Sequence, residues 1–219
     1  MTATVAPTTN GAKPKAEVPL VINKPDFRYL QIPVVGTSPL VINKFSHKAQ
    51  LQMEAKQKQG QVAKSRKAHE AKDFEALYEQ CRHISEDGWD GFHAAAIRNA
   101  CISACRAAGY TMTKAKLALF VIQDGFDRDD GTPLVRINGV PKMVISQCRN
   151  ATGVIDLRPR AHFTDWSATI SMRYDAGMLS DQDVANLVAR VGMQVGIGEG
   201  RPDSKNSAGL GFGLFDIVS

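Results

Sequence analysis

Apolar and polar side chains change places along this chain with two periods. Phe27 to Val35 (FRYLQIPVV) is rich in aromatic and β-branched residues and predicts a strand, which Gly36-Thr37-Ser38-Pro39 breaks. VIDLRPRAHF (154–163) and SATISMRYD (167–175) alternate at every second residue, and predict two strands around Thr164-Asp165. KLALFVIQ (116–123) is nearly all apolar and predicts a central strand covered on both faces. LVRINGVPKMVI (134–145) predicts a strand, an Asn-Gly turn at 138–139 and a second strand. The helical period appears at Ile97, Cys101, Ala104 and Ala108, ending at Gly109. It returns at Val184, Leu187, Val188 and Val191, with Ser180 as N-cap, acidic residues in the first turn and Gly192 as the stop. GLFDIV is the expected last strand.

In chain order these elements run strand, helix, strand, strand, helix, strand. The predicted fold class is therefore α+β: a ferredoxin-like (RRM-like) βαββαβ core with an inserted basic helical segment and extra β-hairpins. Residues 1–18, rich in Thr, Ala, Pro and Lys, are expected to be a disordered arm. Residues 19–219 are expected to form a single α+β domain with the insertion at about 46–87. The hexapeptide PLVINK occurs twice, at 19–24 and 39–44, and suggests two similar short strands.

Composition narrows the class. No apolar run approaches the roughly 20 residues of a membrane-spanning helix. The first residues lack the apolar core of a signal peptide, so a cytoplasmic protein of a bacterial or phage-infected cell is expected, with no membrane partner. Without a signal peptide, Cys81, Cys101, Cys105 and Cys148 are expected as reduced thiols rather than a disulfide framework, and no second close pair joins Cys101 and Cys105 to complete a zinc site. The acidic turn DGFDRDDG lacks the glycine and glutamate spacing of a calcium loop. No metal and no cofactor are expected.

The net charge of +5 is uneven: Lys48 to Lys67 holds six basic residues against one Glu. Such a stripe suits a polyanion, which makes Lys56, Lys58, Lys64, Arg66 and Lys67 candidate phosphate contacts. A second candidate is a polar ladder. Asp156, Arg158, Arg160 and His162 share one face of their strand, and Thr169, Ser171 and Arg173 share one face of the next. Guanidinium groups pair with phosphates bidentately, and Trp166 at the turn could stack on an unpaired base. A third is GIGEGRPDSKNSAGLGFG (196–213), whose glycines permit close backbone approach and which holds Arg201 and Lys205. The tract is neither a dinucleotide fingerprint nor a phosphate-binding loop.

GWDGFHAAAIR (88–98) and the glycine-rich tract before the last strand together resemble the CRISPR-associated RAMP superfamily. The resemblance spans about 27–217 in outline and rests on two short, degenerate motifs. It implies RNA as the ligand and places Arg98 and the glycine-rich tract near it. It also implies self-association along the strand, hence a homo-oligomer. The style of the sequence also resembles phage and prophage proteins.

The expectation is a single-stranded nucleic-acid-binding protein, RNA before DNA. One alternative is a metal-independent RAMP-like RNA endonuclease using His47 or His162; the other is a phage structural or assembly protein. No G-x-S-x-G or cysteine-nucleophile signature occurs, and no catalytic residue is assigned.

Overall fold

The computed structural model describes residues 24–44, 72–149, 155–204 and 209–218. The expected arm, the first PLVINK up to Asn23, and Lys56, Lys58, Lys64, Arg66, Lys67, His47 and Lys205 lie outside the described residues.

The chain is a mixed α+β protein, with three antiparallel sheets among the described residues. Its elements are β1 (Phe27–Gly36), β2 (Leu40–Ile42), α1 (Phe74–Cys81), β3 (His83–Ile84), β4 (Asp90–His93), α2 (Ala95–Ala108), α3 (Met112–Ala118) and β5 (Leu119–Ile122). There follow β6 (Gly125–Phe126), β7 (Pro133–Arg136), β8 (Lys142–Arg149), β9 (Ile155–Phe163), β10 (Ser167–Asp175), α4 (Asp181–Arg190), a π-helical turn (Val191–Val195) and β11 (Phe215–Ile217). The largest sheet has the order β11-β1-β10-β5; the others are β2-β9-β8 and β3-β4-β7-β6. Among the described residues no helix is long and apolar enough to cross a membrane.

Alternation decides which face of the large sheet is covered. Ile32 and Val34 of β1, Ile170, Met172 and Tyr174 of β10, Leu119 of β5 and Phe215 of β11 all point one way and are buried. Onto them α2 lays Ile97, Cys101, Ala104 and Cys105, and α4 lays Val184, Leu187 and Val188. The small stripe of α2 lets it sit close, and Cys101 and Cys105 are free thiols packed as core. Gly109 closes α2 in the left-handed region at φ 70°. Ser180 caps α4 through a reciprocal pair with Asp183.

Several sequence expectations give way to non-local pairing. Gly192 does not end α4: the chain stays helical through the π-helical turn and stops at Gly196. Gly192 is needed because a Cβ there would stand 2.0 Å from the Phe215 carbonyl oxygen. KLALFVIQ is not one central strand. Its first residues finish α3, and β5 lies at the edge of its sheet, pairing with β10 alone among the described residues. β7 and β8 are strands, but they do not form a hairpin with each other. Asn138 bridges to Ser167, which sends β7 to β4 and β8 to β9. β9 and β10 likewise belong to different sheets, so the ladder at Arg158 and Arg160 does not share a face with Arg173.

One buried charge joins the two smaller sheets. Lys44, just past β2, is the last residue of the second PLVINK, and its ammonium is almost fully buried. It donates to Asp127 (2.5 Å) and Asp129 (2.9 Å), and Asp130 lies 3.7 Å away. His83 Nδ1 meets the other oxygen of Asp127 at 2.8 Å. The acidic turn is thus filled by a lysine of the same chain. Burial alone would raise the Asp127 carboxyl, but the Lys44 and His83 side chains and the Asp129 N–H reverse this and hold it below the usual range. Burial lowers the His83 imidazole, and Asp127 offsets this only in part. Both groups are depressed, so both add stability above their ordinary pKa values of about 3.9 and 6.5, lost as pH falls. Asp127→Asn removes the fully buried carboxylate of this cluster and leaves Asp129 as the hydrogen-bonded anion of Lys44; the loss of the charged hydrogen bond is expected to cost about 1.5–3 kcal/mol at neutral pH by urea unfolding. The gap between variant and parent should narrow below about pH 4, where the aspartate itself is protonated on unfolding.

Candidate nucleic-acid interface

The second face of the large sheet carries the residues that alternate with its core. From β1 these are Phe27, Tyr29, Gln31, Pro33 and Val35, and from β10 Thr169, Ser171 and Arg173. From β5 they are Phe120 and Ile122, placed by the pairs Arg173↔Phe120 and Ser171↔Ile122. Tyr29 is 68% exposed and Phe27 39%. Two exposed rings beside hydroxyls and an amide on one sheet face form a candidate contact surface.

Arg173 organises the row. Its guanidinium carbon lies 4.7 Å from the Phe27 ring centre and 4.8 Å from that of Phe120. The two rings meet edge to face at 5.8 Å. Tyr29 is the direct cross-strand partner of Arg173. Among the ion pairs of the described residues Arg173 has none, whereas Arg28 is held by Asp26 and Arg158 by Asp156. Its charge is therefore balanced by ring faces rather than by a carboxylate. Arg98 reaches the same cluster from α2. Its guanidinium carbon lies 5.3 Å from the Phe120 ring centre, while its nitrogens donate to the Leu119 and Lys116 carbonyls. Arg98 thus fastens α2 to the start of β5 and sets Phe120 at the sheet edge.

The other sequence candidates fall elsewhere. Arg160 is 5% exposed, and its Nε donates to Glu199 at 2.7 Å, tying β9 to the glycine-rich tract. Arg158 is half exposed and shares Asp156 with Lys72. His162 is half buried with its ring edge-on to Phe212 at 5.8 Å; burial lowers its imidazole pKa, and Glu199 works the other way. The stacking role expected of Trp166 is corrected. The ring is 3% exposed, its N–H donates to the Ser38 carbonyl at 2.9 Å, and it packs edge-on against Phe215. A residue at a strand turn looks exposed in sequence, but this one is the floor beneath Gly36, where a Cβ would strike the indole.

The glycine-rich tract uses close approach on its own chain. Ile197 N–H donates to Gly213 O, Gly213 N–H to Pro39 O and Glu199 N–H to Val41 O. Arg201 donates to the Gly198 carbonyl. Between this tract and α2 runs a cleft lined by His93, Asn99, Ser103, Gly198 and Arg201, which continues past Val41 to His83. Its polar groups largely satisfy one another: Ser103 and Arg106 both hold Asp203, and His93 Nδ1 accepts the Ala95 N–H.

Sequence reasoning points to Arg98 and Arg173 and misses Phe27, Tyr29 and Phe120. The available signal is the spacing of Phe27, Tyr29 and Gln31, which puts two rings and an amide on one side of a strand.

Two glycines separate packing from flexibility. Gly211 and Gly213 both have left-handed φ, 74° and 70°. A Cβ on Gly211 would meet nothing within 4 Å, whereas one on Gly213 would stand 1.8 Å from the Ile197 carbonyl oxygen. Gly211→Ala should cost about 1–2 kcal/mol from backbone conformation alone. Gly213→Ala should exceed about 4 kcal/mol, the range of changes that break packing. Thermal unfolding of both variants checks the contrast.

No protein-family model matches the sequence, and no curated protein matches it.

Proposed function

We propose that this chain binds single-stranded nucleic acid, RNA ahead of DNA, on the open face of its large sheet. The observation that carries the reading is the Phe27–Arg173–Phe120 cluster beside exposed Tyr29. Ring faces stack on any base, and a guanidinium held between rings is placed for a phosphate or a base plane. Gln31, Thr169 and Ser171 add hydrogen-bonding groups along the same face. The preference for RNA rests on the likeness to RAMP proteins, and so does self-association along the strand.

The same reading takes the large sheet and its two helices as a ferredoxin-like core. Supporting it are the order β11-β1-β10-β5, the antiparallel pairing of every neighbour, and the crossovers through α2 and α4. Such a plan covers one sheet face and leaves the other for a ligand. On this reading Arg98 is a positioning residue for Phe120.

The test is fluorescence anisotropy of labelled single-stranded RNA and DNA with nuclease-treated protein over a salt series. Tyr29→Ala removes an exposed ring and should weaken binding by about 1–3 kcal/mol, roughly 5- to 150-fold, without lowering thermal stability. Arg173→Glu should weaken it further and flatten the salt slope by about 0.7 for each phosphate the variant no longer holds. Absence of binding at low salt, or equal affinity in parent and both variants, overturns the reading.

A further inference from the structure

The two copies of PLVINK lead to an interaction surface. The second copy, 39–44, supplies β2, with Leu40, Val41 and Ile42 all buried against β9 in the register Leu40↔Phe163, Val41↔His162 and Ile42↔Ala161. β9 takes β2 on one side and β8 on the other. Among the described residues β8 has β9 as its one partner in the sheet, and none of them pairs with the N–H and C=O groups of its outer edge. That edge is also apolar. Met143, Val144 and Ile145 are exposed one after another, and Ile155 and Leu157 on the neighbouring strand are exposed too, Ile145 at 49% and Ile155 at 56%. Soluble proteins protect long apolar edges with charge, proline or a covering strand, and over these three residues β8 has none of those.

We propose that residues 19–24 of one copy of this chain add as a strand to the free edge of β8 in a second copy. The segment repeats, residue for residue, a hexapeptide that this sheet already accepts as a strand. The β9 edge is not open to it, because residues 40–42 occupy that edge and Lys44 is locked onto Asp127. The outer side of β2 is taken by the glycine-rich tract, through Glu199 N–H to the Val41 carbonyl and Gly213 N–H to that of Pro39, so among the described residues the outer edge of β8 is the one that remains in the sheet.

Reach assigns the strand to another copy. Lys24 is three residues before Phe27, so at most about 11 Å of extended chain separates them. Phe27 sits opposite Asp175 and against Phe120. β1 then runs ten residues, about 30 Å, before Gly36 and the turn into β2. The apolar part of β8 is at that far end: Lys142 pairs with His162, and His162 with Val41. A strand laid on Met143–Ile145 by its own chain would have to bridge most of the length of β1 with a three-residue link. A strand from a second copy has no such limit. Because each copy both offers a strand and accepts one, the contact is head-to-tail and propagates unless it closes into a ring. The proposal does not depend on the nucleic-acid reading.

Sedimentation velocity on nuclease-treated, full-length protein tests it, with circular dichroism as the check on folding. The parent should form oligomers. Val21→Pro removes a ladder donor, and Ile22→Asp places a charge on the added strand; each should weaken self-association about tenfold or more with an unchanged spectrum. Cross-linking then assigns the surface, in a Cys148→Ser background. An Ile22→Cys copy mixed with an Ile145→Cys copy should oxidise to a covalent heterodimer. A parent that stays monomeric at its highest soluble concentration, or oligomers indifferent to both substitutions at 21 and 22, overturns the proposal. So does a disulfide that forms only within single chains carrying both cysteines.

Discussion

Nine residues, 36 to 44, are held from every side, and one buried ammonium fixes their end. Gly36 N–H bonds to the Trp166 carbonyl, and Thr37 and Ser38 donate to Leu214. Pro39 and Val41 accept from Gly213 and Glu199, and Lys44 N–H reaches the carbonyl of Cys81 at the end of α1. The side chain of Lys44 then closes the segment onto Asp127. A charge taken out of water tolerates little displacement, because its compensation depends on close carboxylates and falls steeply with distance. The large sheet, β9, the glycine-rich tract and the acidic turn are therefore all set relative to one short strand. That strand needs no length of its own, since its neighbours supply the hydrogen bonds.

The open face follows from this economy. With α2 and α4 on one side of the large sheet and the two small sheets gathered at the Gly36 end, Phe27 and Tyr29 stay exposed on the other side, where the Arg173 guanidinium lies over the rings of Phe27 and Phe120. The described arginines differ in what holds them. Arg82, Arg106, Arg158 and Arg160 are matched by carboxylates and serve architecture. Arg173 is matched by aromatic rings and has no ion pair among the described residues. Net positive charge alone does not find this distinction, since it counts them all alike.

Local signals are legible in the sequence and partners are not. The capping box at Ser180, the left-handed stop at Gly109 and the alternation in β1 and β10 each depend on residues within a few positions, and a sequence displays those directly; in β9 the alternation fails, with Ile155 and Leu157 exposed and Arg160 buried. Pairing across the chain does not show in this way. Asn138-Gly139 has the look of a hairpin turn, yet Gly139 is there because the Asp165 carbonyl comes within 2.6 Å of where its Cβ would be. Lys44 and Trp166 mislead for the same reason. A lysine after a short strand suggests solvent and a tryptophan at a turn suggests a contact surface, until a distant segment arrives to bury each. Phe27 and Tyr29 mislead the other way: in sequence, rings in a strand suggest core, and only the sheet order shows which side is left uncovered.

The position of the two tryptophans sets what light can report. Trp166 is sealed beneath Gly36 and against Phe215, and Trp89 lies over Gly91 and Gly125 in the β3-β4-β7-β6 sheet with Arg136 at 6.0 Å. Neither indole is on the face that carries Tyr29. Directly excited indole emission from this protein therefore follows the integrity of the fold at two separate sheets rather than events on the face that carries Tyr29.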